Sequence, residues 1–323
     1  MKILVTGCAG FIGYHVTKKL LNKGNIIVGI DILNNFYSVK YKKHSLNELK
    51  QFKNFSFYKL DVSKFKKLRT IFNKNKFDLI INLAAEVGVR NSIDFPDNHV
   101  SSNIVGFANI LELSKIYNVN KLVYASSSSV YGSNKKLPYS INDVTDTPVS
   151  IYAATKKANE LMAYSYSYLY GIKAIGLRFF TVYGPWGRPD MAVYGFTDAI
   201  FKNKIISLYN NGKNFRDYTY IDDVVDGIIN SIHYKFKKKE VPHQVFNLGN
   251  KKSISTLTLL KYLENEIGKK AKIKHSKKAP GDVLKTLADV KIEKYKINYI
   301  PKVNIKSGIK YFVEWYMKYN KIV

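Results

Sequence analysis

The chain has 323 residues, and its 52 Lys and Arg against 24 Asp and Glu give a formal net charge of +28. A chain of this length can bury one large or two medium-sized cores, and its 46% of hydrophobic residues argues against a disordered protein. No apolar run reaches the ~18 residues of a membrane-spanning helix. The single cysteine, Cys8, excludes an internal disulfide and a zinc site built on thiolates.

Lysine dominates the positive charge, since 47 of the 52 basic residues are lysines and five are arginines. This ratio indicates a compositional preference, and residues 77–114 and 174–201 contain no lysine. We therefore expect no nucleic-acid partner; a contiguous lysine surface and a steep salt dependence of binding would indicate that alternative. The first 16 residues do not resemble a signal peptide, and we expect a cytoplasmic protein without a membrane segment or a metal site.

Hydrophobic patterning in the first half alternates short strands with helices. The predicted strands are Lys2–Thr6, Asn25–Asp31, Phe55–Leu60, Asp78–Leu83, Lys121–Ser126 and Lys173–Arg178. The predicted helices are Gly10–Lys23, a lysine-rich segment between the third and fourth strands, Asn98–Tyr117 and Ser150–Tyr170. This alternation predicts a doubly wound α/β fold, with a parallel sheet and helices on both of its faces.

A glycine-rich turn follows the first strand, with Gly7, Gly10 and Gly13 in G-x-x-G-x-x-G spacing. Glycines let the backbone approach a pyrophosphate, and the N-terminus of the next helix offers free N–H groups and the positive end of its dipole. Asp31 ends the second strand, where a carboxylate can bind a ribose 2′,3′-diol and repel a 2′-phosphate. The turn and the acid predict a dinucleotide site that prefers NAD to NADP.

The second half is less regular. Its turn-rich segment, 183–190, predicts no helix or strand. Two helices and one strand are predicted beyond it, at Ile221–His233, Thr256–Ile267 and Gln244–Leu248. We predict an NAD-binding Rossmann domain and a smaller, mixed α/β substrate-binding lobe. The domain covers 1–178, with 221–248 returning to it, and the lobe covers 179–220 and 249–323.

Tyr152 and Lys156 form a Y-x-x-x-K pair inside the predicted helix 150–170. Their i, i+4 spacing places both side chains on one helix face, about 6 Å apart at Cβ. A nearby ammonium is expected to lower the tyrosine pKa from ~10, so that the phenol can serve as a general base or acid. The serines of 126–129 end a predicted strand, where ligands bind in an open α/β sheet.

The chain resembles the extended short-chain dehydrogenase/reductase family of NAD-dependent nucleotide-sugar epimerases and dehydratases. The motifs that carry this resemblance are TGCAGFIG (6–13), NLAA (82–85), SSSSVYG (126–132), YAATK (152–156), LRFFTVYGP (177–185), RDYTYIDD (216–223) and PGD (280–282). They follow the family's order over nearly the whole chain. The longer stretches 82–92, 124–132, 150–171 and 177–197 are most similar to the UDP-glucuronate 4-epimerase branch.

The resemblance implies a catalytic set of Ser127, Tyr152 and Lys156. Tyr152 would take the proton of the sugar C4 hydroxyl while C4 gives a hydride to NAD. Lys156 would tune Tyr152 and bind the nicotinamide ribose, and Ser127 would hydrogen-bond the reacting oxygen. The 4-keto sugar would then turn over and receive the hydride on its other face. The implied cofactor-binding residues are Gly7, Gly10, Phe11, Ile12, Gly13, Asp31, Asp61, Val62, Leu83, Ala84, Ala85, Tyr152 and Lys156.

A uronic acid adds a requirement, because oxidation at C4 creates a β-keto acid that readily loses CO2. By resemblance, Ser128, Ser129, Thr181 and Arg188 hold that carboxylate. Where composition favours lysine, the few arginines indicate planar, bidentate recognition of phosphate or carboxylate. Arg178 is instead expected in a structural salt bridge. The implied substrate-binding residues are Arg90, Ser127, Ser128, Ser129, Thr181, Arg188, Arg216 and Asp282.

Several alternatives stay open. The alternative activities within the family are 4-epimerisation of UDP-glucose, UDP-N-acetylglucosamine or its uronate, and decarboxylation of a UDP-uronate. A 4,6-dehydratase is less favoured, because Ser128 and Ser129 stand where that branch carries an acid pair. A catalytically idle NAD-sensing protein is the alternative outside the enzymes. Resemblance also implies a homodimer that pairs through the helices near 98–117 and 150–170.

Overall fold

The computed structural model describes residues 1–37, 39–277 and 283–322. Its strands are β1 (Lys2–Thr6), β2 (Ile26–Asp31), β3 (Phe55–Lys59), β4 (Leu79–Asn82), β5 (Lys121–Ser127), β6 (Lys173–Phe179), β7 (Thr181–Tyr183), β8 (Ile205–Tyr209), β9 (Phe215–Tyr220), β10 (His243–Leu248), β11 (Ser253–Ser255) and β12 (Lys272–Ser276). Its helices are α1 (Phe11–Asn22), α2 (Val39–Leu49), α3 (Phe65–Lys74), α4 (Asn91–Asp94), α5 (Pro96–His99), α6 (Gly106–Ile116), α7 (Ile151–Tyr170), α8 (Ala192–Phe201), α9 (Ile221–Ser231), α10 (Thr256–Ile267), α11 (Lys291–Ile297) and α12 (Ile305–Asn320).

Seven parallel strands form the main sheet, in the order β10-β6-β5-β4-β1-β2-β3. The chain builds β1, β2 and β3 in one direction, then crosses back and builds outward from β4 on the other side of β1. Such a reversal opens a crevice at the carboxyl ends of the strands, where ligands bind in open α/β sheets. The predicted doubly wound fold is confirmed, and the boundaries of the two predicted domains stay a prediction.

Both faces of this sheet are covered. Ile3 and Val5 of β1 belong to one hydrophobic core together with Val16 of α1. Leu4 lies between them in the sequence and belongs to the opposite core, with Leu68 of α3. This alternation follows from the two-residue period of a strand, and burial on both faces explains the continuous apolar runs that made these strands predictable.

The second half carries two small sheets, β11-β9-β7 and β12-β8. Helices α2 and α8 and strands β7, β8, β9 and β11 were not predicted from the sequence. The segment of α2, VKYKKHSLNEL, is rich in polar residues and buries its apolar side chains on one face only. The predicted helix 98–117 is interrupted, because a π-helix (Val100–Val105) separates α5 from α6.

A buried ion pair ties the main sheet to α7. Both nitrogens Nε and Nη2 of Arg178 donate to Glu160 at 2.8 Å, and Nη1 donates to the Tyr131 hydroxyl at 3.1 Å. The Ser126 hydroxyl donates to the same carboxylate at 2.6 Å. The two charged side chains are only 4% and 5% exposed, so the expected structural salt bridge of Arg178 is confirmed.

Candidate active site

The glycine turn leaves no room for side chains. Gly7 has φ +71°, and a Cβ there would lie 2.8 Å from the backbone nitrogen of Ala84. A Cβ on Gly13 would lie 2.0 Å from the Gly7 carbonyl oxygen. Helix α1 begins at Phe11, which Ile12 follows, and no described side chain caps its N-terminus. The turn is therefore a backbone cradle that faces the positive end of a helix, which suits a pyrophosphate.

Asp31 stands beside this cradle at the end of β2. Its Oδ2 accepts from the backbone N–H of Ala9 at 3.1 Å, and its Oδ1 accepts from Leu33 at 2.8 Å. Burial raises the pKa of Asp31, and the hydrogen bonds and the charge of Lys42 oppose that rise. A carboxylate held in this way is placed to meet a ribose at the edge of the cradle.

The other predicted cofactor residues lie at the ends of neighbouring strands. After β4, the backbone of Ala84 donates to the Thr6 hydroxyl at 3.1 Å, and Leu83 and Ala85 lie on either side of Ala84 in the sequence. Asp61 accepts from the N–H of Ser63 at 2.8 Å. Both segments line the same cleft as the cradle, and so does Val62.

This cleft has a volume of about 1100 Å³ and runs along the carboxyl ends of the main strands. Every predicted site residue within the described parts of the chain lines it. Asp282 and the rest of the PGD motif lie outside the described residues. The structure thus brings residues that are distant in the sequence into one cavity, large enough for a dinucleotide and a second ligand.

Helix α7 carries Tyr152 and Lys156 into the cleft. Its N-terminus is capped by the side chain of Ser150, which accepts from Ala153 at 3.1 Å. The Lys156 ammonium donates to the carbonyl oxygen of Ala125 on β5 at 3.0 Å. Burial lowers the pKa of Lys156 to about 8, so this ammonium is poorly stabilised in the cleft as it stands.

The pKa of Tyr152 is raised by burial, and not lowered as the sequence suggested. A hydrogen bond from Ser127 and the positive charge of Arg188 oppose that rise. The expected lowering of the Tyr152 pKa by Lys156 is not found, and burial outweighs the contributions of Ser127 and Arg188. Tyr152 is therefore a neutral phenol in the cleft as described, with Ser127 beside it.

Ser127, Ser128 and Ser129 lie at the end of β5 and line the same cleft as this pair. The hydroxyls of Ser127 and Ser129 lie 3.1 Å apart, and the backbone N–H of Ser129 also donates to Ser127 Oγ at 3.1 Å. Ser128 and Ser129 begin a 3-10 turn directly after β5. Thr181 begins β7 and lines the cleft with them. Hydroxyl donors thus surround the space in front of Tyr152.

Three arginines line the same cleft. Arg188 pairs with Asp190 through two hydrogen bonds, of 3.0 Å from Nε and 2.6 Å from Nη2. Its Nη1 is not used by this pair. Arg90 stacks on the ring of Tyr209 at 4.3 Å. Arg216 donates from Nη1 to the Phe215 carbonyl oxygen at 2.8 Å. Asp190, two residues after Arg188, is the partner that sequence reasoning missed.

Hydrogen bonds from α1 and α2 fix the loop that carries Arg188. The His15 ring donates from Nε2 to the Pro185 carbonyl oxygen at 2.8 Å, and the Tyr41 hydroxyl donates to the Gly187 carbonyl oxygen at 3.0 Å. The turn-rich segment is irregular from Gly184 onward, as predicted, whereas Tyr183 ends β7. These hydrogen bonds anchor it.

Asn103 is a buried residue of the π-helix that sequence reasoning also missed. Its amide nitrogen donates to the Glu86 carbonyl oxygen and to the Thr155 hydroxyl, both at 3.0 Å, and its oxygen accepts from the Glu86 N–H at 2.9 Å. It links the loop after β4 to the helix of Tyr152. In an asparagine-rich chain no local signal marks it.

The described parts of the chain contain neither a metal-binding cluster nor a membrane-spanning helix. No group of three or more His, Cys, Asp or Glu side chains is arranged to hold a metal ion. No helix in those parts has the length and apolar character needed to cross a membrane.

The cradle, the acid at the end of β2 and the tyrosine–lysine pair of α7 define a dinucleotide-dependent enzyme. Comparison with known proteins agrees. A family model described as GDP-mannose 4,6 dehydratase matches residues 4–312. Protein CapI of Staphylococcus aureus is 43% identical, over 99% of this chain and 100% of its own. A UDP-glucuronate 4-epimerase of Thermodesulfobacterium geofontis is 44% identical, over 97% and 95%.

Solved structures give the same result. The UDP-glucuronic acid 4-epimerase of Bacillus cereus, in complex with UDP-glucuronic acid and NAD, superposes with a TM-score of 0.90 at 33% identity, over 99% of this chain and 100% of the other. The UDP-glucose 4-epimerase of Thermotoga maritima, with UDP-glucose, has a TM-score of 0.90 at 30% identity and the same coverage.

The chain belongs to the NAD-dependent epimerase/dehydratase family, the extended short-chain dehydrogenases/reductases. The resemblance inferred from the motifs is confirmed, and so is NAD as the cofactor at the level of the family. Within the family, the similarity places the chain among the NAD-dependent UDP-sugar 4-epimerases.

Proposed function

We propose that the chain interconverts UDP-glucuronate and UDP-galacturonate by epimerisation at C4. One observation carries the proposal: a guanidinium and three hydroxyls suited to a carboxylate line the same cleft as Ser127, Tyr152, Lys156 and the glycine cradle. The similarity to UDP-glucuronate 4-epimerases over nearly the whole chain supports it.

Tyr152 is the proposed acid and base. Its phenol, next to the Ser127 hydroxyl, takes the proton from the C4 hydroxyl in the first half-reaction and returns it in the second. Lys156 supplies the positive charge that stabilises the phenolate, and Ser127 hydrogen-bonds the reacting oxygen. The glycine turn and Asp31 would hold NAD, which would supply the reversible hydride acceptor for C4. The 4-keto sugar turns over between the two transfers, which inverts C4.

The carboxylate of the sugar needs a fixed orientation, because the 4-keto uronate is a β-keto acid. Ser128, Ser129 and Thr181 offer hydroxyl donors, and Arg188 offers the two N–H groups of Nη1 that Asp190 does not use. Charge-assisted hydrogen bonds of this kind are about twice as strong as neutral ones. Such a clamp holds the C5–carboxylate bond away from the geometry in which CO2 leaves.

The remaining roles are assigned as follows. We place Arg90 and Arg216, which line the cleft, at the diphosphate and nucleotide end of the substrate. Asp282 is assigned to that end by resemblance alone. We place the cofactor on the cradle, with Asp31 at the adenosine ribose. The predicted homodimer is supported by exposed apolar side chains on α7, namely Leu161, Tyr164, Tyr168 and Leu169. The cytoplasmic location stays a prediction.

Purified protein incubated with UDP-glucuronate, with products resolved by chromatography, tests the proposal. The expected product is UDP-galacturonate with no loss of carbon. A UDP-pentose with release of CO2 would replace the proposal by a decarboxylase. UDP-glucose, which lacks the carboxylate, is incubated in parallel for comparison.

A UDP-glucose 4-epimerase is the second candidate. The ion pair between Arg188 and Asp190 favours it, because a guanidinium that is already paired attracts a carboxylate less strongly. Faster turnover of UDP-glucose than of UDP-glucuronate would select this candidate.

A further inference from the structure

Two loops meet over the glycine cradle. Strands β2 and β4 lie on either side of β1 in the main sheet, so the loops that follow them stand on opposite sides of the turn at the end of β1. Asn34 belongs to the first loop and Glu86 to the second. The Asn34 side-chain amide donates to Glu86 Oε1 at 2.7 Å. This bond therefore spans the cleft above the cradle.

A buried lysine fixes the direction of this bond. Lys42 of α2 is only 5% exposed, and its ammonium donates to Asn34 Oδ1. The ammonium also lies 4.5 Å from the centre of the Tyr37 ring. Because the amide oxygen is engaged by Lys42, the amide nitrogen must point toward Glu86. The three side chains form one chain of charge-assisted hydrogen bonds, from an ammonium through an amide to a carboxylate.

The far end of this chain is anchored to the catalytic helix. The backbone N–H and carbonyl oxygen of Glu86 are both bonded to Asn103, which also donates to Thr155 of α7. The backbone of Glu86 is therefore held in place, and its carboxylate is a fixed acceptor for the side chain of Asn34. All three members of the bridge, Asn34, Lys42 and Glu86, line the cleft.

We propose that Lys42, Asn34 and Glu86 form a clasp that retains NAD in the cleft. They are positioning residues, which close two loops over the place of the pyrophosphate and take no part in proton or hydride transfer. Release of the cofactor requires the bond between Asn34 and Glu86 to break. The proposal depends on the proposed function only for its cofactor, and it makes no reference to the sugar.

The isosteric change Asn34→Asp tests the clasp. It places a second carboxylate against Glu86 and opens the bridge by repulsion, with no change in side-chain shape. Glu86→Gln keeps an acceptor for Asn34 and is the matched control. The double variant, Asn34→Asp with Glu86→Gln, restores a donor facing a carboxylate. The NAD content of each purified protein, and the rate of NAD loss after dilution, are measured by chromatography of the denatured protein.

We expect Asn34→Asp to lose NAD about tenfold to a hundredfold faster than the wild type, the effect of one hydrogen bond to a charged group. Glu86→Gln and the double variant should release NAD at nearly the wild-type rate. Turnover of Asn34→Asp should fall in proportion to its NAD content and rise again as NAD is added.

Unchanged NAD release in Asn34→Asp would overturn the clasp, and so would a loss of turnover that excess NAD does not restore. Failure of the double variant to recover retention would also overturn it, because the defect would then not lie in this bond. A wild-type chain that binds no NAD at all would refute the proposed cofactor itself, which the retention measurement alone reveals.

Discussion

The buried ammonium of Lys156 lowers the free energy of unfolding, and replacement of Lys156 by methionine allows this cost to be measured. The ammonium is buried, and its pKa falls from 10.5 in the unfolded chain to about 8 in the folded one. Each tenfold change in proton affinity corresponds to about 1.4 kcal/mol, so the buried charge costs about 3 kcal/mol at neutral pH. Methionine removes this cost but also loses the hydrogen bond to Ala125, which offsets about 1 kcal/mol of the stability gained. Lys156→Met should therefore stabilise the NAD-free protein by about 2 kcal/mol at pH 7.

The pH dependence gives this prediction its sign. Between pH 8 and pH 10.5 the unfolded chain binds the Lys156 proton and the folded chain does not, so this group makes the wild type more stable as the pH rises. The advantage of Lys156→Met should shrink over the same range. Urea denaturation of both proteins at pH 7 and pH 9.5 measures it.

The adjacent Lys157 provides the matched control. Its ammonium donates to the Thr145 hydroxyl at 2.6 Å near the surface, and Lys157→Met should cost about 0–1 kcal/mol at either pH. A Lys156→Met protein that is less stable than the wild type at pH 7, or a difference that does not change with pH, would refute the reasoning.

Three further changes test the site and the fold. Tyr152→Phe should abolish epimerisation and leave the NAD content unchanged, by product and cofactor chromatography; residual turnover above a few per cent would assign the proton transfer elsewhere. Glu160→Ala leaves Arg178 buried and unpaired and should cost about 3–5 kcal/mol in urea denaturation, and a cost under 1 kcal/mol would contradict the buried ion pair. Gly13→Ala forces a Cβ to within 2.0 Å of the Gly7 carbonyl oxygen and should remove NAD and lower the melting temperature. Gly195→Ala, inside α8 with its nearest neighbour 3.5 Å away, should keep the melting temperature or raise it slightly, because alanine favours a helix. Equal melting of both variants would contradict the steric argument.

Five of the six strands of the first half were predictable because they are largely buried on both faces and each reads as a short apolar run between polar segments. The sixth, β3, lies at the edge of the sheet and has no fully buried residue. The glycine cradle was predictable because a tight turn restricts residue type at single positions. Helix α2 was not, since only three apolar residues, Tyr41, Leu46 and Leu49, lie on its buried face, and the other buried residues there, Lys42 and Ser45, are polar.

Contacts between distant parts of the chain could not be predicted from the sequence. The bond between Asn34 and Glu86 joins residues 52 positions apart, and nothing local marks either one. The raised pKa of Tyr152 has the same origin, because spacing places Lys156 on its helix face and says nothing about how deeply both are buried. Pattern predicts which side chains share an element, whereas desolvation depends on everything packed around them.

The position of β10 at the edge of the main sheet has a consequence during synthesis. Its neighbour β6 ends at Phe179, and β10 begins at His243. At about 5–20 residues per second, a ribosome takes roughly 3 to 13 s to produce the chain between them. Throughout that interval β6, paired only with β5, is an apolar edge strand with one open edge, the kind of surface that templates association between chains. The nascent protein is thus most in need of a chaperone after its cofactor cradle has been made and before its sheet is complete.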